Sequence, residues 1–244
     1  MIAGGSGGIG QALVTRCLAN GDAVTAMTRS PSHTLCQLQK AYPNQLAVIQ
    51  GELSQAPEST RAALAALFDR YGYPDWVINA AGVLHQAHVP QLTPEKRLSE
   101  ITPRTFELNL TVNTYTSIVL AQWLAAFYPR QARFRFACLS AMVGSISDNR
   151  SGGWYSYRMS KAALNMFIKT LSIEWRRQFP QASVAAIHPG TTKTPLSAPF
   201  RDGIDPRRYY TPAQSAERIL RIVSTLTPEQ SGRFFHWDGS ELPW

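Results

Sequence analysis

A glycine-rich turn near the start of the chain constrains the fold more than any other feature. Residues 3–10 read Ala-Gly-Gly-Ser-Gly-Gly-Ile-Gly, and the glycines fit two patterns at once, Gly5-x-Gly7-x-x-Gly10 and Gly4-x-x-x-Gly8-x-Gly10. Both patterns describe a strand that turns tightly into a helix whose first N–H groups face a pyrophosphate. Apolar residues at helical spacing follow, and Asn20-Gly21 ends the helix. The turn therefore favours a dinucleotide-binding α/β fold.

The strand before this turn is unusually short. Only Met1 and Ile2 precede the turn, whereas a strand runs about 5–6 residues on average. A buried central strand should also be a near-continuous apolar run. We therefore expect roughly three to five further apolar residues upstream of Met1 in the native protein.

Strands and helices alternate along the rest of the chain. Apolar runs predict strands at residues 23–27, 46–50, 75–79, 134–140, 183–187 and 232–239. Helical patterns lie at residues 58–71, 103–127 and 212–226, and a further helix begins around Tyr157. Alternation over the whole length predicts a single α/β domain, residues 1–244, with a Rossmann-type doubly wound parallel sheet in three αβα layers.

Two connections stand out between these elements. Residues 83–103 are polar and proline-punctuated, with a short helix predicted around residues 94–99. Residues 191–211 are turn-rich, basic and aromatic, and their length predicts a lid on the substrate side.

The second strand predicts which dinucleotide binds. In such folds an acid about 20 residues past the glycines binds the ribose hydroxyls and selects NAD. Here no Asp or Glu occurs from Ala23 to Gly51, and Arg29 stands where a 2′-phosphate would be met. We therefore predict NADP(H), with an ordinary surface arginine as the alternative. Glu52 and Leu53 could border the adenine, and the small residues of Asn79-Ala80-Ala81-Gly82 let the backbone approach a ligand closely.

Tyr157 and Lys161 are the candidate catalytic pair. A spacing of four residues places the phenol and the ammonium on one helix face. A cation within about 4–6 Å favours the phenolate and can lower the tyrosine pKa by roughly 1–3 units, which suits proton transfer to or from a carbinol oxygen. The alternative is a tyrosine and a lysine on a solvated helix face. Asn113, a poor mid-helix residue, is predicted to kink its helix or to bind water, and Asn109 is its rival.

Composition argues against several classes of partner. The net charge is +8, but the basic residues are scattered, so we expect no nucleic-acid partner. No 18-residue apolar run or signal sequence occurs, and the three cysteines lack ligand-like spacing, so we expect a cytoplasmic protein with no membrane partner. His85 and His88 have no evident third ligand, so we predict no metal.

The ordered set of motifs resembles the short-chain dehydrogenase/reductase family over essentially the whole chain. It comprises the glycine turn, Asn79-Ala-Ala-Gly82, a serine-bearing strand end, Tyr157-x-x-x-Lys161 and Pro189-Gly190. The run Gly152-Gly-x-Tyr-x-Tyr-Arg-x-Ser-Lys-Ala-Ala-Leu-Asn165 and the ending Asp238-Gly-x-x-Leu-Pro-Trp244 resemble its C-factor and carbonyl-reductase-like branch.

This resemblance implies an NADPH-dependent reductase of a small aldehyde or ketone, and it is compatible with a homodimer or homotetramer. Tyr157 would be the general acid, Lys161 would lower its pKa and hold the nicotinamide ribose, and Asn113 would anchor a proton-relay water. The backbone at Thr192, with Thr194, would hold the carboxamide. The implied cofactor-binding residues are Gly4, Gly5, Ser6, Gly8, Ile9, Gly10, Arg29, Glu52, Leu53, Asn79, Ala80, Ala81, Gly82, Tyr157, Lys161, Pro189, Gly190, Thr192 and Thr194.

The sequence departs from the family pattern at two places. Ala3 replaces the usual threonine before the glycines, and Ala141 occupies the position of the substrate-orienting serine. Ser140 and Ser145 flank Ala141; Ser140 is our candidate, and either can supply the hydroxyl. If neither does, the alternative function is a nucleotide-binding, C-factor-like signalling or scaffold protein with little or no turnover.

Overall fold

The computed structural model describes residues 1–85, 93–203 and 205–244. These residues form nine strands, named here in chain order. They are β1 (Ile2–Ala3), β2 (Val24–Thr28), β3 (Leu46–Gln50), β4 (Trp76–Asn79), β5 (Arg135–Leu139), β6 (Ser183–Ile187), β7 (Thr191–Thr192), β8 (Tyr209–Tyr210) and β9 (Arg233–Phe235). Seven of them make one parallel sheet in the order β3-β2-β1-β4-β5-β6-β9.

Helices cover both faces of this sheet. They are α1 (Gly8–Ala19), α2 (His33–Ala41), α3 (Glu58–Tyr71), α4 (Pro103–Leu110), α5 (Thr116–Phe127), α6 (Tyr155–Gln178) and α7 (Pro212–Thr225). Buried side chains of α1, α2 and α7 pack in one apolar cluster, and those of α3, α5 and α6 pack in another. The predicted three-layer, doubly wound α/β fold is therefore confirmed.

The strand order places the candidate site. Chain order reverses between β1 and β4, the two neighbouring strands at the centre of the sheet. In open parallel sheets, ligands bind outside the carboxyl ends of the strands at such a switch point. The glycine turn follows β1 and residues 79–82 end β4, so both border this crevice.

Several local features differ from the sequence expectations. Helix α2 was not predicted, because Leu35 is its one buried residue and most of its other residues are polar. The short helix expected around residues 94–99 lies instead at Leu98–Glu100, as a 3₁₀ turn. Strand β1 has two residues, and the Met1 amino group donates to the Trp76 carbonyl at 2.7 Å; the expected upstream residues stay a prediction.

Segment 191–211 has its own small framework. Strands β7 and β8, at its two ends, pair in parallel, and two 3₁₀ helices, Ala198–Gly203 and Pro206–Arg208, lie between them. Its role as a lid stays a prediction. Across the described residues, no helix is long and apolar enough to cross a membrane.

Candidate active site

The glycine turn is packed too tightly for side chains. The N–H groups of Gly4 and Gly5 both donate to the Met27 carbonyl, at 2.9 and 3.0 Å. Gly4 has a φ of +78°, and a Cβ there would lie 2.7 Å from the Ala81 nitrogen. A Cβ on Gly10 would collide with the Gly4 carbonyl oxygen. These glycines therefore bring the turn after β1 directly against the turn after β4.

Helix α1 presents an uncapped amino end to the crevice. No side chain caps the helix at Gly7, and its first turn contains no acidic residue. Its free N–H groups and the positive end of the helix dipole suit an anion such as a pyrophosphate. A Cβ on Gly8 would lie 2.5 Å from the Thr194 side chain, so Thr194 lies at this helix end. Ile9 packs against the apolar cluster beneath it.

Ser6 ties the glycine turn to the end of β2. Its hydroxyl oxygen accepts hydrogen bonds from the Thr28 hydroxyl at 2.9 Å and from the Ser32 N–H at 3.0 Å. Arg29, the predicted 2′-phosphate residue, follows directly; its side chain is 69% exposed and lies 3.6 Å from the Glu52 carboxylate. An acidic residue is therefore present beside Arg29, but it is Glu52, just after β3, and not a residue of the second strand.

Asn79 supports the turn after β4 through its side chain. The amide nitrogen donates to the hydroxyls of Thr116 and Ser117, at 3.1 and 2.7 Å, and the amide oxygen accepts from the Ala81 N–H at 3.0 Å. Because these bonds engage both ends of the buried amide, Asn79 positions the backbone of residues 80–82. A cofactor role for Asn79 and Ala80 through their backbone stays a prediction.

Asn113 lies between α4 and α5, where the α-helical hydrogen-bond pattern is interrupted by one wider turn. Thr111–Tyr115 form a π-helical turn, and the predicted kink or water-binding role of Asn113 stays a prediction. The Asn113 amide pairs with both backbone groups of Val83, at 2.8 and 2.9 Å, and also donates to Asn109 and Ser160. Single π turns are frequent at functional sites. Here the turn links residues 82–83 to α6, and Asn109, in the last turn of α4, is a second buried amide beside it.

Tyr157 and Lys161 lie together in the first turns of α6. Their side chains are buried, and the Lys161 ammonium is 5.8 Å from the centre of the Tyr157 ring. Lys161 also donates to the Leu139 carbonyl at 2.8 Å. A Cβ on Gly82 would lie 3.8 Å from the Lys161 nitrogen. The pair therefore adjoins the turn after β4.

The electrostatics of the pair correct one expectation. Burial raises the pKa of the Tyr157 phenol well above its ordinary value, with no opposing effect from Lys161. Burial also lowers the pKa of Lys161 from 10.5 to about 8. The expected lowering of the tyrosine pKa is absent because the ammonium lies beside the ring and binds Leu139, and because desolvation disfavours the phenolate. At neutral pH Tyr157 is a protonated acid.

The serines around Ala141 have partners of their own. The Ser140 hydroxyl donates to the Asn165 amide oxygen at 2.6 Å, and Asn165 in turn donates to the Gly144 carbonyl. The Ser145 hydroxyl oxygen accepts from the Asp148 N–H at 3.1 Å. Both serines are buried. The assignment of Ser140 as catalytic residue stays a prediction, with Ser145 as its alternative.

Alanine variants separate these two serines. Ser140→Ala leaves the buried Asn165 oxygen without its donor, so we expect the free energy of unfolding to fall by about 1–3 kcal/mol. The serine that contacts the substrate oxygen should, when replaced, lower kcat by about 10²–10³-fold. Urea unfolding and steady-state NADPH oxidation of Ser140→Ala and Ser145→Ala measure both effects. If kcat is unchanged in both variants, neither serine contacts the substrate oxygen.

The residues that follow β6 form the last part of the predicted cofactor site. Pro189 is buried, and Gly190 has a φ of +79° with the rings of Tyr210 and Trp237 packed against it. The Thr192 hydroxyl bonds with Ser215 at 2.7 Å and donates to the Gly190 carbonyl at 3.1 Å. Thr192 is therefore firmly placed beside the crevice.

The sequence interpretation missed the contacts that Trp154 and Arg158 make at the start of α6. Trp154 has a φ of +52°, and its ring contacts Tyr157 edge-on at 6.2 Å and Phe200 at 4.9 Å between centroids. Arg158 donates to the carbonyls of residues 143, 152 and 153 and to the Ser151 hydroxyl. A tryptophan between two glycines and a helix carries no periodic signal, so neither contact was predictable.

Metal ligands are not clustered in the described part of the chain, where no group of three His, Cys, Asp or Glu residues could hold an ion. His85 lies 3.0 Å from the Pro195 carbonyl oxygen. His88, its predicted neighbour, lies outside the described residues. The absence of a metal stays a prediction.

The fold and this site together define a dinucleotide-dependent oxidoreductase of the Rossmann type. Comparison with known proteins agrees: residues 1–205 match the family described as short chain dehydrogenase. The chain belongs to the short-chain dehydrogenase family.

Two curated relatives are informative. The chain is 34% identical over 187 residues to 1-hydroxy-2-glutathionyl-2-methyl-3-butene dehydrogenase of Rhodococcus, covering 77% of this chain and 76% of that protein. It is 40% identical over 111 residues to C-signal of Myxococcus xanthus, covering 45% of this chain and 61% of C-signal. The second match supports the C-factor-like branch of the family.

A solved structure matches along the full length. The NADPH-bound carbonyl reductase from chicken fatty liver is 26% identical, with a TM-score of 0.84, and the match covers 100% of this chain and 98% of that chain. The carbonyl reductase Sniffer of Drosophila melanogaster, 23% identical with a TM-score of 0.82, shares the fold.

Proposed function

We propose that this protein is an NADPH-dependent reductase of a small aldehyde or ketone, with Tyr157 as the general acid. The observation that carries the proposal is the buried Tyr157–Lys161 pair beside the turn after β4. The likeness to an NADPH-bound carbonyl reductase supports the same reaction.

The residues present fit the cofactor. The uncapped N–H groups at the start of α1 suit a pyrophosphate, and the missing Cβ at Gly8 lets Thr194 pack against this helix end. Arg29 would meet the 2′-phosphate, and Glu52 and Leu53 would border the adenine. Lys161 would hold the nicotinamide ribose, with Thr192 and Thr194 at the carboxamide. NADPH supplies the hydride when bound.

The protein's own residues supply the proton. The raised pKa of Tyr157 keeps its phenol protonated at neutral pH, so the phenol can donate that proton to the carbonyl oxygen of the substrate. Asn113 would anchor the water through which Lys161 restores the phenol's proton.

A substrate screen tests the reaction. Purified protein with NADPH should oxidise the cofactor in the presence of at least one member of a panel of aldehydes, ketones and quinones, and the alcohol should appear in equal amount. Turnover of none of them, in protein that binds NADPH, would favour the alternative. That alternative, a C-factor-like nucleotide-binding signalling or scaffold protein, rests on Ala141 and on the C-signal likeness.

Cofactor preference gives the next prediction. We expect NADPH to bind roughly 10- to 150-fold more tightly than NADH, because a charge-assisted hydrogen bond from Arg29 contributes about 1.5–3 kcal/mol. The exposed Arg29–Glu52 pair competes weakly with the phosphate. Arg29→Ala should therefore abolish the preference, and Glu52→Gln should slightly increase it.

Calorimetric titration of the parent protein and of each variant, with NADPH and with NADH, measures these affinities. Arg233→Ala is the matched control, since Arg233 is also exposed and paired with a glutamate, Glu241, at the far edge of the sheet. Equal affinities for the two cofactors in the parent protein would contradict the prediction.

A further inference from the structure

Glu95 is a buried acid without a basic partner. It lies in the connection between β4 and α4, and 2% of its surface is exposed. None of the ion pairs in the described residues includes it. A buried carboxyl group needs hydrogen bonds that offset its desolvation. Its partners therefore show what it does.

Those partners are the first residues of α6. One carboxyl oxygen of Glu95 accepts from the Ser156 N–H at 3.2 Å, and the other accepts a short hydrogen bond from the Ser156 hydroxyl. The Glu95 carbonyl accepts from the Trp154 N–H at 2.5 Å. Glu95 thus contacts both residues that precede Tyr155 and Tyr157.

Helix α6 depends on this remote contact for its cap. Trp154 occupies the capping position and offers no side-chain hydrogen bond. The orphan N–H groups of a helix start must otherwise be satisfied by water or by another segment. Glu95, which lies 61 residues before Ser156 in the chain, satisfies one of them, and a carboxyl group there suits the positive end of the helix dipole.

We propose that Glu95 is a positioning residue for Tyr157, a role that rests on the proposed reductase function. Ser156 directly precedes Tyr157, so the carboxyl group that holds its N–H and hydroxyl fixes where the phenol emerges from the helix. Beyond the first turns, α6 is held by its own buried residues, Leu164, Ile168, Leu171 and Trp175. Loss of Glu95 therefore displaces the first turn and leaves the rest of the helix in place.

The test compares Glu95→Gln with Ser156→Ala and with a control. Glutamine exchanges one acceptor oxygen for a donor, and Ser156→Ala keeps the carboxyl group and removes the hydroxyl. Glu100→Gln is the matched control, since Glu100 accepts from the Lys96 N–H at 2.7 Å within the same connection. NADPH and para-nitrobenzaldehyde serve as probes.

We expect Glu95→Gln to lower kcat roughly 10- to 100-fold, since a misplacement of about 1 Å can cost 10²-fold. The NADPH dissociation constant should stay within about twofold of the parent value, because the other candidate cofactor-binding residues lie outside the displaced first turn. Ser156→Ala should lower kcat less, the double variant should lose no more than Glu95→Gln alone, and Glu100→Gln should match the parent.

Amide hydrogen exchange at residues 154–156 gives a second readout that needs no substrate. It should quicken in Glu95→Gln and stay unchanged in Glu100→Gln. A folded Glu95→Gln protein with the parent kcat would overturn the proposal. If Glu95→Gln does not fold, Ser156→Ala decides, and its parent-like kcat would overturn the proposal equally. A parent protein that reduces no carbonyl would instead overturn the reductase function, and the positioning role with it.

Discussion

Replacing Tyr157 by phenylalanine is expected to lower kcat for carbonyl reduction by about 10²–10⁴-fold, the usual contribution of a general acid. The substitution removes the transferable proton and keeps the ring. The edge-on contact with Trp154 and the position beside the Lys161 ammonium both involve that ring. NADPH binding should therefore stay within about twofold of the parent value.

Steady-state NADPH oxidation and a fluorescence titration of NADPH measure the two effects. Tyr155→Phe is the matched control, because Tyr155 begins the same helix and loses the same hydroxyl. It should behave like the parent protein. If Tyr157→Phe turns over as fast as the parent, the reductase function fails and nucleotide binding alone becomes the better description.

Lys161→Met is expected to impair both chemistry and cofactor binding. The variant keeps the length of the side chain and removes the charge assigned to the nicotinamide ribose and to the return of the phenol's proton. Loss of an electrostatic contact of this kind lowers kcat by about 10²–10³-fold, and NADPH affinity should fall as well. In the parent, kcat/KM should fall as the pH rises through about 8, where the buried amine loses its proton.

The same variant should not be less stable at neutral pH. Burial lowers the pKa of Lys161 from 10.5 to about 8. Below about pH 8 the amine is charged in the folded protein, and the burial of this charge disfavours folding. Between these values the unfolded chain binds a proton that the folded chain does not, and parent stability rises with pH by about 3 kcal/mol. Loss of the Leu139 hydrogen bond offsets part of the gain in the variant.

Urea unfolding at about pH 7 and about pH 10 tests the sign of this dependence of stability on pH. The advantage of Lys161→Met over the parent should shrink as the pH rises. Lys169→Met, which removes an exposed lysine from the same helix, is the control and should show no such trend. A parent protein whose stability relative to Lys161→Met does not change with pH would contradict the lowered pKa.

The sequence predicted most of the sheet because its strands are buried apolar runs with clear limits. Strand β3 and helix α3 were predicted with the bounds that the structure has. Helix α2 was missed because it buries one residue among mostly polar neighbours, with its start capped by Ser32. Local pattern therefore predicted those elements that bury much surface.

The structure brings the candidate residues Tyr157 and Lys161 together, but the pKa of Tyr157 shifts opposite to the expectation. Motif order identified Tyr157 and Lys161, because their chemistry depends on spacing within one helix. The sign of the tyrosine pKa shift depends on burial, which only the folded chain determines. Glu95 was missed for the same reason: it lies in a polar connection, and its contact with Ser156 spans 61 residues.

The hydrogen bonds of Trp154 and Arg158 hold one wall of the cleft more firmly than the other. The Tyr157 side is held by the Arg158 hydrogen bonds to its loop and by the Trp154 N–H bond to Glu95. The Phe200 ring against Trp154 belongs to segment 191–211, whose ends pair through two residues each. We therefore predict that substrate enters and product leaves past that segment, so that its opening rate, rather than proton transfer, limits turnover.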